Sequence, residues 1–392
     1  MHQPILLDVT RLVLRLLKGK RPTGVDRVGL AYVQHFASIA RAVLSLKGRI
    51  WVLDASKSHE VFAKLTQTPS SLDKLYWLSL FSRGVFARLD RRYSGCFFLN
   101  TGHKGVESKE YAATLRQMGV KPIYFVHDLI PITHSEYCRP GEKKKHERRI
   151  QKMLEEGAGL IANSAYTKQE VIKFAQTRNL PVLPIAVSWL SSSARQLEQT
   201  SVIHKQSPEK PYFVVLSTIE ARKNHLLLLN IWRQMVERYG ADAVPRLLVI
   251  GQRGWECEQV FDMLDRCESL KGIVEEKNQC SDHELTLALL GARALLFPSF
   301  VEGFGIPLVE ALSLGVPVLA SDIPVFREIG QNIPELINEL DGRTWLEAIM
   351  AYTEDNSPAR VAQLERLKTY QAWTWQQHFE IVDRFLTSLE AS

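Results

Sequence analysis

The sequence lacks the features that are typical of membrane-spanning, secreted and disulfide-linked proteins. Its 392 residues contain no apolar run that approaches the ~20 residues of a membrane-spanning helix. The first residues, MHQPILLDVT, carry no basic segment leading into a long apolar one, so they do not predict a secretory signal. Five cysteines, an odd number without a Cys-x-x-Cys pair, argue against a disulfide framework and a zinc site. We therefore expect reduced thiols and a cytoplasmic location.

Acidic residues are scarce in the first half of the chain. Residues 1–200 hold 31 Lys/Arg and 16 Asp/Glu, a balance of +15, whereas residues 201–392 hold 18 and 27, a balance of −9. The formal net charge of +6 conceals this asymmetry. A basic half favours an anionic partner, which would be a bilayer surface, a phosphate-bearing acceptor or nucleic acid. A solvated basic surface without a partner is the alternative.

Short apolar runs alternate with longer amphipathic ones along the whole chain. This alternation is typical of parallel sheets covered by helices on both faces. In the first half the predicted strands are residues 96–100, 122–129 and 159–164. In the second half they are residues 212–218, 246–251, 272–274, 294–299 and 316–321.

These patterns predict an α/β protein of two Rossmann-like domains that face each other across a ligand-binding cleft. We predict an N-terminal domain over residues 1–190 and a C-terminal domain over residues 211–372. The polar, serine-rich residues 191–210 predict a linker between them. Residues 373–392 are amphipathic and predict a final helix.

The stretch VEGFGIPLVE holds two glutamates, Glu302 and Glu310, around a Gly-Phe-Gly turn. It lies between a predicted strand and a helix whose first turn suits Pro307. Gly303 and Gly305 allow the backbone to approach a ligand, and the helix N-terminus favours a phosphate. Because carboxylates repel phosphate, we expect the glutamates to bind hydroxyls on either side of a diphosphate, as in a nucleotide sugar. Alternatively, the glutamates only complement the helix dipole, for about 0.3–1 kcal/mol.

Two further strand ends carry polar candidates. Arg222 and Lys223 follow the strand VVLST, where adjacent cations suit a leaving diphosphate. His127 and Asp128 follow the strand PIYFV in the first half. A solvated Arg-Lys pair and a structural histidine are the alternative interpretations.

Together these residues resemble the family 4 glycosyltransferases, which are retaining enzymes of the GT-B fold. EGFGIPLVE is similar to the Glu-x7-Glu motif of that family, and STIEARKNH to its phosphate-binding loop. HDLIP, IANSAYT and TGVDRV also fall in the expected order. The resemblance extends over most of the chain, and it is strongest to bacterial mannosyltransferases that extend O-polysaccharides.

The resemblance implies a role for each candidate residue. The implied catalytic residues are His127, Glu302, Arg222 and Lys223. The implied donor-binding residues are Gly24, Ser217, Thr218, Arg222, Lys223, Gly303, Phe304, Gly305 and Glu310. Acceptor-side candidates are Asp128 and Asn163. The resemblance further implies that the final helix crosses back to the first domain.

One position departs from the family pattern. Many members place an arginine after the glycine that ends the first strand of the second domain. Ser217 and Thr218 stand there in this sequence. Arg222 and Lys223 should therefore neutralise more of the phosphate charge.

The implied activity is transfer of a hexose, with mannose from GDP-mannose as the leading donor, to a lipid-linked or oligosaccharide acceptor. The sequence has no Asp-x-Asp motif, so we expect no metal and no cofactor. Basic clusters at 142–149 and 88–93 predict peripheral attachment to an anionic inner membrane. A UDP- or dTDP-sugar donor and a nucleotide-sugar epimerase are the alternatives. Nucleic-acid binding is disfavoured, since no helix-turn-helix, zinc spacing or RNP-type strand is found.

Overall fold

The computed structural model describes residues 4–19, 22–67, 74–84, 91–192 and 210–391. The chain divides into two compact units. The first comprises the described residues of Met1–Thr133, Pro140–Leu190 and Trp375–Ser392, and the second those of His134–Arg139 and Ser191–Thr374. Most of the predicted linker, residues 193–209, lies outside the described residues. The short segment His134–Arg139 groups with the second unit although it lies inside the predicted first domain.

A seven-stranded sheet forms the centre of the first unit, in the order β3-β2-β1-β4-β5-β6-β7. Its strands are β1 Ile5–Asp8, β2 Ala40–Leu46, β3 Arg49–Val52, β4 Phe97–Asn100, β5 Lys121–Val126, β6 Gly159–Ala162 and β7 Ile185–Val187. The predicted strands of the first half correspond to β4, β5 and β6 and are confirmed. Strands β1, β2, β3 and β7 were not predicted.

The pair β2–β3 is antiparallel, which corrects the expectation of a purely parallel sheet. Lys47 and Gly48 form its two-residue turn, with φ angles of 49° and 79°. Positive φ at both positions matches the twist of the strands in a tight hairpin. A Cβ atom at Gly48 would lie 2.3 Å from Glu110 Cβ, so a larger residue does not fit there.

Helices cover both faces of the first sheet. They span Thr10–Leu17, Gly24–Phe36, Ala55–Thr66, Lys74–Gly84, Lys109–Met118, Ile130–Thr133, Glu142–Glu156, Ala165–Thr177 and Trp375–Glu390, with 3₁₀ turns at Arg91–Tyr93 and Ser135–Tyr137, the latter in the second unit.

The last helix, Trp375–Glu390, packs on the first unit as predicted. The Phe379 ring stacks on the His35 ring with centroids 3.9 Å apart and an interplanar angle of 3°. Tyr32 donates its hydroxyl hydrogen to His378 Nε2 at 3.1 Å, while His378 Nδ1 donates to the Trp189 carbonyl at 2.9 Å. Burial lowers the pKa of His378 to about 4, so this contact is a neutral one at pH 7.

A six-stranded, wholly parallel sheet forms the centre of the second unit, in the order β10-β9-β8-β11-β12-β13. Its strands are β8 Tyr212–Leu216, β9 Arg246–Ile250, β10 Val274–Lys277, β11 Leu295–Phe297, β12 Val318–Ser321 and β13 Glu335–Ile337. The strand predicted at 272–274 instead spans Val274–Lys277. The apolar pattern missed most of it, because β10 is an edge strand whose partly exposed residues are mostly charged.

Helices of the second unit cover both faces of its sheet. They span His225–Tyr239, Glu258–Arg266, Asp282–Leu290, Ile306–Ser313, Pro324–Ile329, Gly342–Thr353 and Pro358–Leu367, with 3₁₀ turns at Ala221–Lys223, Ala241–Ala243 and Glu268–Leu270. Within the described ranges, no helix is long and apolar enough to span a bilayer.

The two units thus confirm the predicted class, two α/β domains of Rossmann type. Buried side chains of the strands, such as Phe213, and of the helices, such as Trp232 and Trp345, form a continuous core in the second unit. The core packs the strands against the helices, and it thereby positions the loops that leave the carboxyl ends of the strands.

Candidate functional site

The order of the second sheet fixes where its ligand site should lie. The chain runs from β8 outward to β9 and β10, and then returns to β11 on the other side of β8. The loops after β8 and β11 therefore diverge at the carboxyl edge of the sheet. Open α/β sheets bind ligands at this switch point. The first of these loops carries Arg222 and Lys223, and the second carries Glu302.

Glu302 joins the two loops through ion pairs with both cations. Arg222 Nη1 donates to Glu302 Oε2 at 2.8 Å, and Lys223 Nζ donates to Oε1. Ser299 Oγ donates to the same Oε1 at 2.8 Å. Arg222 Nε also pairs with Glu220 Oε1 at 2.7 Å. Two cations and two carboxylates thus form one network, which we call the switch-point cluster (Glu220, Arg222, Lys223 and Glu302).

The cluster is buried, and burial sets its electrostatics. Only 8% of Lys223 and 6% of Glu302 is exposed. Burial alone would raise the pKa of Glu302, but Arg222 and Lys223 outweigh it and lower the pKa to about 2. Burial, followed by Arg222, lowers the pKa of Lys223, while Glu302 opposes that shift. At pH 7 Glu302 is therefore a carboxylate that hydrogen bonds hold in place.

This pairing of Glu302 was not predicted. The sequence predicts a carboxylate that faces away from the phosphates of the donor and accepts hydrogen bonds from sugar hydroxyls, and it predicts no ion pair with the cations. Instead, Glu302 accepts hydrogen bonds from both of those cations. Glu220, the second carboxylate of the cluster, was not a candidate either. The motif STIEARKNH contains it, but nothing in the sequence distinguishes it from a solvated glutamate.

The Gly-Phe-Gly turn has the backbone that its sequence predicts. Gly305 has a φ of 114° and caps the helix Ile306–Ser313, with Pro307 in the first turn. A Cβ atom at Gly305 would lie 2.7 Å from Phe326 Cε1, so only glycine fits. Phe304 is buried, which anchors the turn. The turn brings the backbone of Gly303 to the carboxyl edge of the sheet.

Glu310 lies within that helix rather than at its N-terminus, and only 4% of it is exposed. The seven residues between the two glutamates thus separate a loop carboxylate from one inside a helix. Glu302 pairs with Arg222 and Lys223, whereas Glu310 lies inside the helix Ile306–Ser313.

Ser217 and Thr218 follow β8 directly. Ser217 Oγ lies 3.3 Å from His225 Nε2, and Thr218 is exposed. Burial, followed by Lys223, lowers the pKa of His225 to about 3. The neutral imidazole can therefore accept the Ser217 hydroxyl hydrogen. A Cβ atom at Gly251 would lie 1.8 Å from the Ser217 carbonyl oxygen, so the neighbouring loop packs tightly here.

The candidates in the first unit lie after β5 and β6. His127 Nε2 donates to the Thr101 carbonyl at 2.7 Å, and Asn163 Nδ2 donates to the His127 carbonyl at 2.8 Å. Asp128 Oδ1 accepts from the Ile130 backbone N–H at 3.0 Å. Burial lowers the pKa of His127 to about 4, so the ring is neutral at pH 7. The structure thus brings His127, Asp128 and Asn163 together.

Two more buried histidines adjoin His127 and were missed by sequence reasoning. The ring centroid of His103 lies 5.2 Å from that of His127 and 6.4 Å from that of His146. His146 Nε2 donates to the Asp128 carbonyl at 3.0 Å. Each histidine therefore donates to a main-chain carbonyl, His103 to that of Phe125.

Gly24 begins the helix Gly24–Phe36 and is exposed. Its neighbour Asp26 caps this helix and pairs with Arg11 Nε at 2.8 Å and Arg15 Nε at 2.7 Å. Two helices of the first unit are thus joined beside Gly24.

The switch point of the first sheet lies between β1 and β4, and a buried carboxylate marks it. Asp8 Oδ2 accepts from Tyr111 Oη at 2.9 Å and from Asn100 Nδ2 at 3.3 Å, while Oδ1 accepts from the Thr10 backbone N–H at 2.8 Å. Burial nevertheless raises the pKa of Asp8 to about 6. Sequence reasoning missed this residue, because β1 is a short strand without a distinctive motif.

Known structures with the same two-unit architecture define the class of the fold. The whole chain is similar to the whole of Anabaena HepE, solved in complex with UDP-glucose, with a TM-score of 0.66 and 14% identity. It is also similar, over the full length of both chains, to sucrose-phosphate synthase of Thermosynechococcus elongatus, with a TM-score of 0.60 and 14% identity. These likenesses confirm the predicted GT-B fold.

The sequence that includes most of the second unit is similar to a known family. Residues 198–358 match the family described as "Glycosyl transferases group 1". This segment contains both the loop after β8 and the Glu302–Glu310 motif. The predicted resemblance to family 4 glycosyltransferases is therefore confirmed.

Curated relatives narrow the resemblance to bacterial O-antigen enzymes. The chain is 26% identical over 243 residues to the serotype-specific mannosyltransferase WbdA of Escherichia coli, covering 59% of this chain and 29% of WbdA. It is 25% identical over 256 residues to the O-antigen chain mannosyltransferase B of Escherichia coli, covering 64% and 66%. It is 28% identical over 225 residues to the O-antigen chain mannosyltransferase RfbU of Salmonella typhimurium, covering 57% and 58%. Each match spans less than two thirds of the relative.

Proposed function

We propose that the protein is a retaining, metal-independent glycosyltransferase that moves a hexose from a nucleotide sugar to a lipid-linked or oligosaccharide acceptor in bacterial surface polysaccharide synthesis. The observation that carries this proposal is the switch-point cluster. The buried Lys223 and the partly buried Arg222 lie at the site where α/β sheets bind phosphates, and both pair with Glu302 on the loop of the Glu302–Glu310 motif. GDP-mannose is the leading donor, since the named relatives are mannosyltransferases.

In the proposed reaction, Arg222 and Lys223 bind the donor diphosphate and stabilise the charge that develops on it. Fixed cations and backbone N–H groups would then supply the stabilisation without a metal. Ser217, Thr218 and the backbone of Gly303–Gly305 contribute donor contacts, and Glu310 binds the ribose hydroxyls. Because both cations pair with Glu302, the diphosphate must compete with this carboxylate, which would then turn toward the transferred sugar.

Retention is proposed to proceed by attack on the same face of the sugar. The acceptor oxygen forms a bond to the anomeric carbon, while the bond from that carbon to the donor phosphate oxygen breaks. The departing phosphate oxygen takes the acceptor proton. No separate base is then required, which is compatible with His127 being buried and neutral. In this proposal His127 and Gly24 line the donor site, and Asp128 and Asn163 contact the acceptor.

We further propose that the basic first half attaches peripherally to the anionic inner face of the membrane. Residues 142–149 lie in the helix Glu142–Glu156, where Lys143 and Lys144 are exposed. Part of the other basic cluster, residues 88–90, lies outside the described residues. Binding to anionic liposomes at low salt tests this proposal, and a lack of binding would show that the charge only solvates the surface.

Incubation with nucleotide sugars tests the function. We expect GDP-mannose to raise the melting temperature more than UDP- or dTDP-sugars, since a ligand that binds only the native state stabilises it. Release of the nucleoside diphosphate should require a glycan acceptor. Conversion of the donor without any acceptor would instead identify an epimerase. Lys223→Ala should abolish transfer, and near wild-type turnover in this variant would refute the site.

A further inference from the structure

The segment His134–Arg139 belongs to the second unit although the residues on both sides of it belong to the first. Two of its side chains make specific contacts there. The Tyr137 ring stacks on the Phe300 ring, with centroids 5.3 Å apart and an interplanar angle of 2°. The Arg139 guanidinium lies over the Trp255 ring, 4.8 Å from its centroid.

Both contacts lie at the carboxyl edge of the second sheet. Phe300 follows β11, two residues before Glu302, and its backbone N–H donates to the Arg222 carbonyl at 2.9 Å. Trp255 follows β9, and the preceding Gly254 N–H donates to the Ile219 carbonyl at 2.9 Å. Strands β9 and β11 flank β8. The segment therefore contacts the loops on both sides of the one that carries Arg222 and Lys223.

The switch-point cluster lacks net positive charge, and the segment His134–Arg139 can supply it. In the switch-point cluster, the two cations are matched by two carboxylates, Glu220 and Glu302. A nucleoside diphosphate would therefore meet a cluster without net positive charge. Ser217 and Thr218 add no charge. Among the described residues, Arg139 has neither an ion pair nor a hydrogen bond.

We propose that Arg139 is a further donor-binding residue, which binds the phosphates of the nucleotide sugar. The inference rests on the proposed function. An arginine stacked on an aromatic ring keeps its N–H groups available in the plane of the guanidinium, where they fit two phosphate oxygens. Trp255 holds this plane in position. Tyr137 is a positioning residue that acts through Phe300 on the loop of Glu302.

Calorimetric titration of the full chain with GDP, UDP and dTDP, and with the corresponding nucleosides, tests this proposal. We expect Arg139→Gln to weaken binding of the preferred diphosphate at least about tenfold, because it removes a charge-assisted hydrogen-bonding partner. Nucleoside binding should not change. Arg139→Lys should recover only part of the loss, since a lysine cannot bind two oxygens in the same plane.

Arg238→Gln provides a matched control. Arg238 is also an exposed arginine over an aromatic ring, 5.9 Å from the Tyr239 centroid, but it lies at the end of the helix His225–Tyr239. Its removal should leave diphosphate affinity unchanged.

The positioning function of Tyr137 is tested by comparing Tyr137→Phe with Tyr137→Leu. Phenylalanine retains the stack, so only leucine should lower the turnover number, with a smaller effect on the KM for donor. If the stack is only structural, Tyr137→Leu should lower stability while its turnover number and its KM for donor stay at the wild-type values.

The outcomes separate the two proposals. If the wild-type protein binds none of the three diphosphates, the proposed function and this inference are both wrong. If it binds one of them and Arg139→Gln binds it equally well, the inference is wrong while the proposed function stands.

Discussion

The charge of Glu302 should contribute strongly to stability as well as to activity, and Glu302→Gln isolates that charge. Glutamine keeps the size of the side chain but cannot neutralise two cations. Arg222 keeps its second partner, Glu220. Lys223, which is 8% exposed, loses the only carboxylate with which it forms an ion pair among the described residues. Removal of one partner from a buried pair leaves the other charge uncompensated.

The magnitude follows from the pKa of Glu302. Its depression from 4.5 to about 2 corresponds to on the order of 3 kcal/mol of stability at pH 7. Because the folded-state pKa lies below the unfolded one, this contribution is complete above pH 4.5 and decreases as the pH falls toward about 2. Wild type and variant should thus differ by about 3 kcal/mol at pH 7 and converge in strong acid.

Urea denaturation, followed by tryptophan fluorescence, to which the buried Trp232 and Trp345 of the second unit contribute, measures the difference. Urea is uncharged and does not screen the pairs. Glu237→Gln is the matched control, because Glu237 pairs with Arg233 at 2.8 Å with both side chains more than half exposed. That control should cost no more than about 0.5 kcal/mol.

A double variant sharpens the test. Adding Lys223→Met to Glu302→Gln removes the uncompensated cation, and it should restore part of the lost stability. If Glu302→Gln were within about 0.5 kcal/mol of wild type at pH 7, the buried ion pairs would not stabilise the unit, and the reasoning would be refuted.

Two further predictions concern Asp8 and Gly305. Burial raises the pKa of Asp8 from 3.8 to about 6, so the folded state holds a proton that the unfolded state releases. The free energy of unfolding should therefore fall by on the order of 2 to 3 kcal/mol between these pKa values as the pH rises, a fall absent from Asp8→Asn. Equal pH slopes in urea denaturation would contradict this. Gly305 has a φ of 114°, and a Cβ atom there would lie 2.7 Å from Phe326. Gly305→Ala should therefore lower the free energy of unfolding by about 2–3 kcal/mol, measured by thermal denaturation. Gly315→Ala, with a φ of 70° and open space, should cost only about 1 kcal/mol, and equal losses would contradict the steric argument.

Local patterns predicted much of the fold. Strands β4, β5, β6, β8, β9, β11 and β12 are short, nearly continuous apolar runs, as buried parallel strands are. Strands at the edges are harder to find, because one side of an edge strand meets solvent or another element. The charged strand β10 and the short strand β3 are examples.

The candidate site was predicted in its parts but not in its connections. Arg222, Lys223 and Glu302 were all identified as candidates, because each follows a buried parallel strand. Ligands bind at the carboxyl ends of such strands. Their mutual ion pairs were not. Asp8 and Glu220 carry no motif of their own, and only their burial distinguishes them from surface carboxylates.

The sequence by itself determined what depends on near neighbours along the chain. The Gly-Phe-Gly turn, the proline in the first helical turn and the alternation of strands and helices follow from local sterics and periodicity. The tertiary structure alone decided which distant groups meet. Glu302 is separated from Lys223 by 79 residues and from Arg222 by 80. Only the placement of β8 beside β11 brings them together, because a pairing between strands distant in the chain depends on the whole sheet.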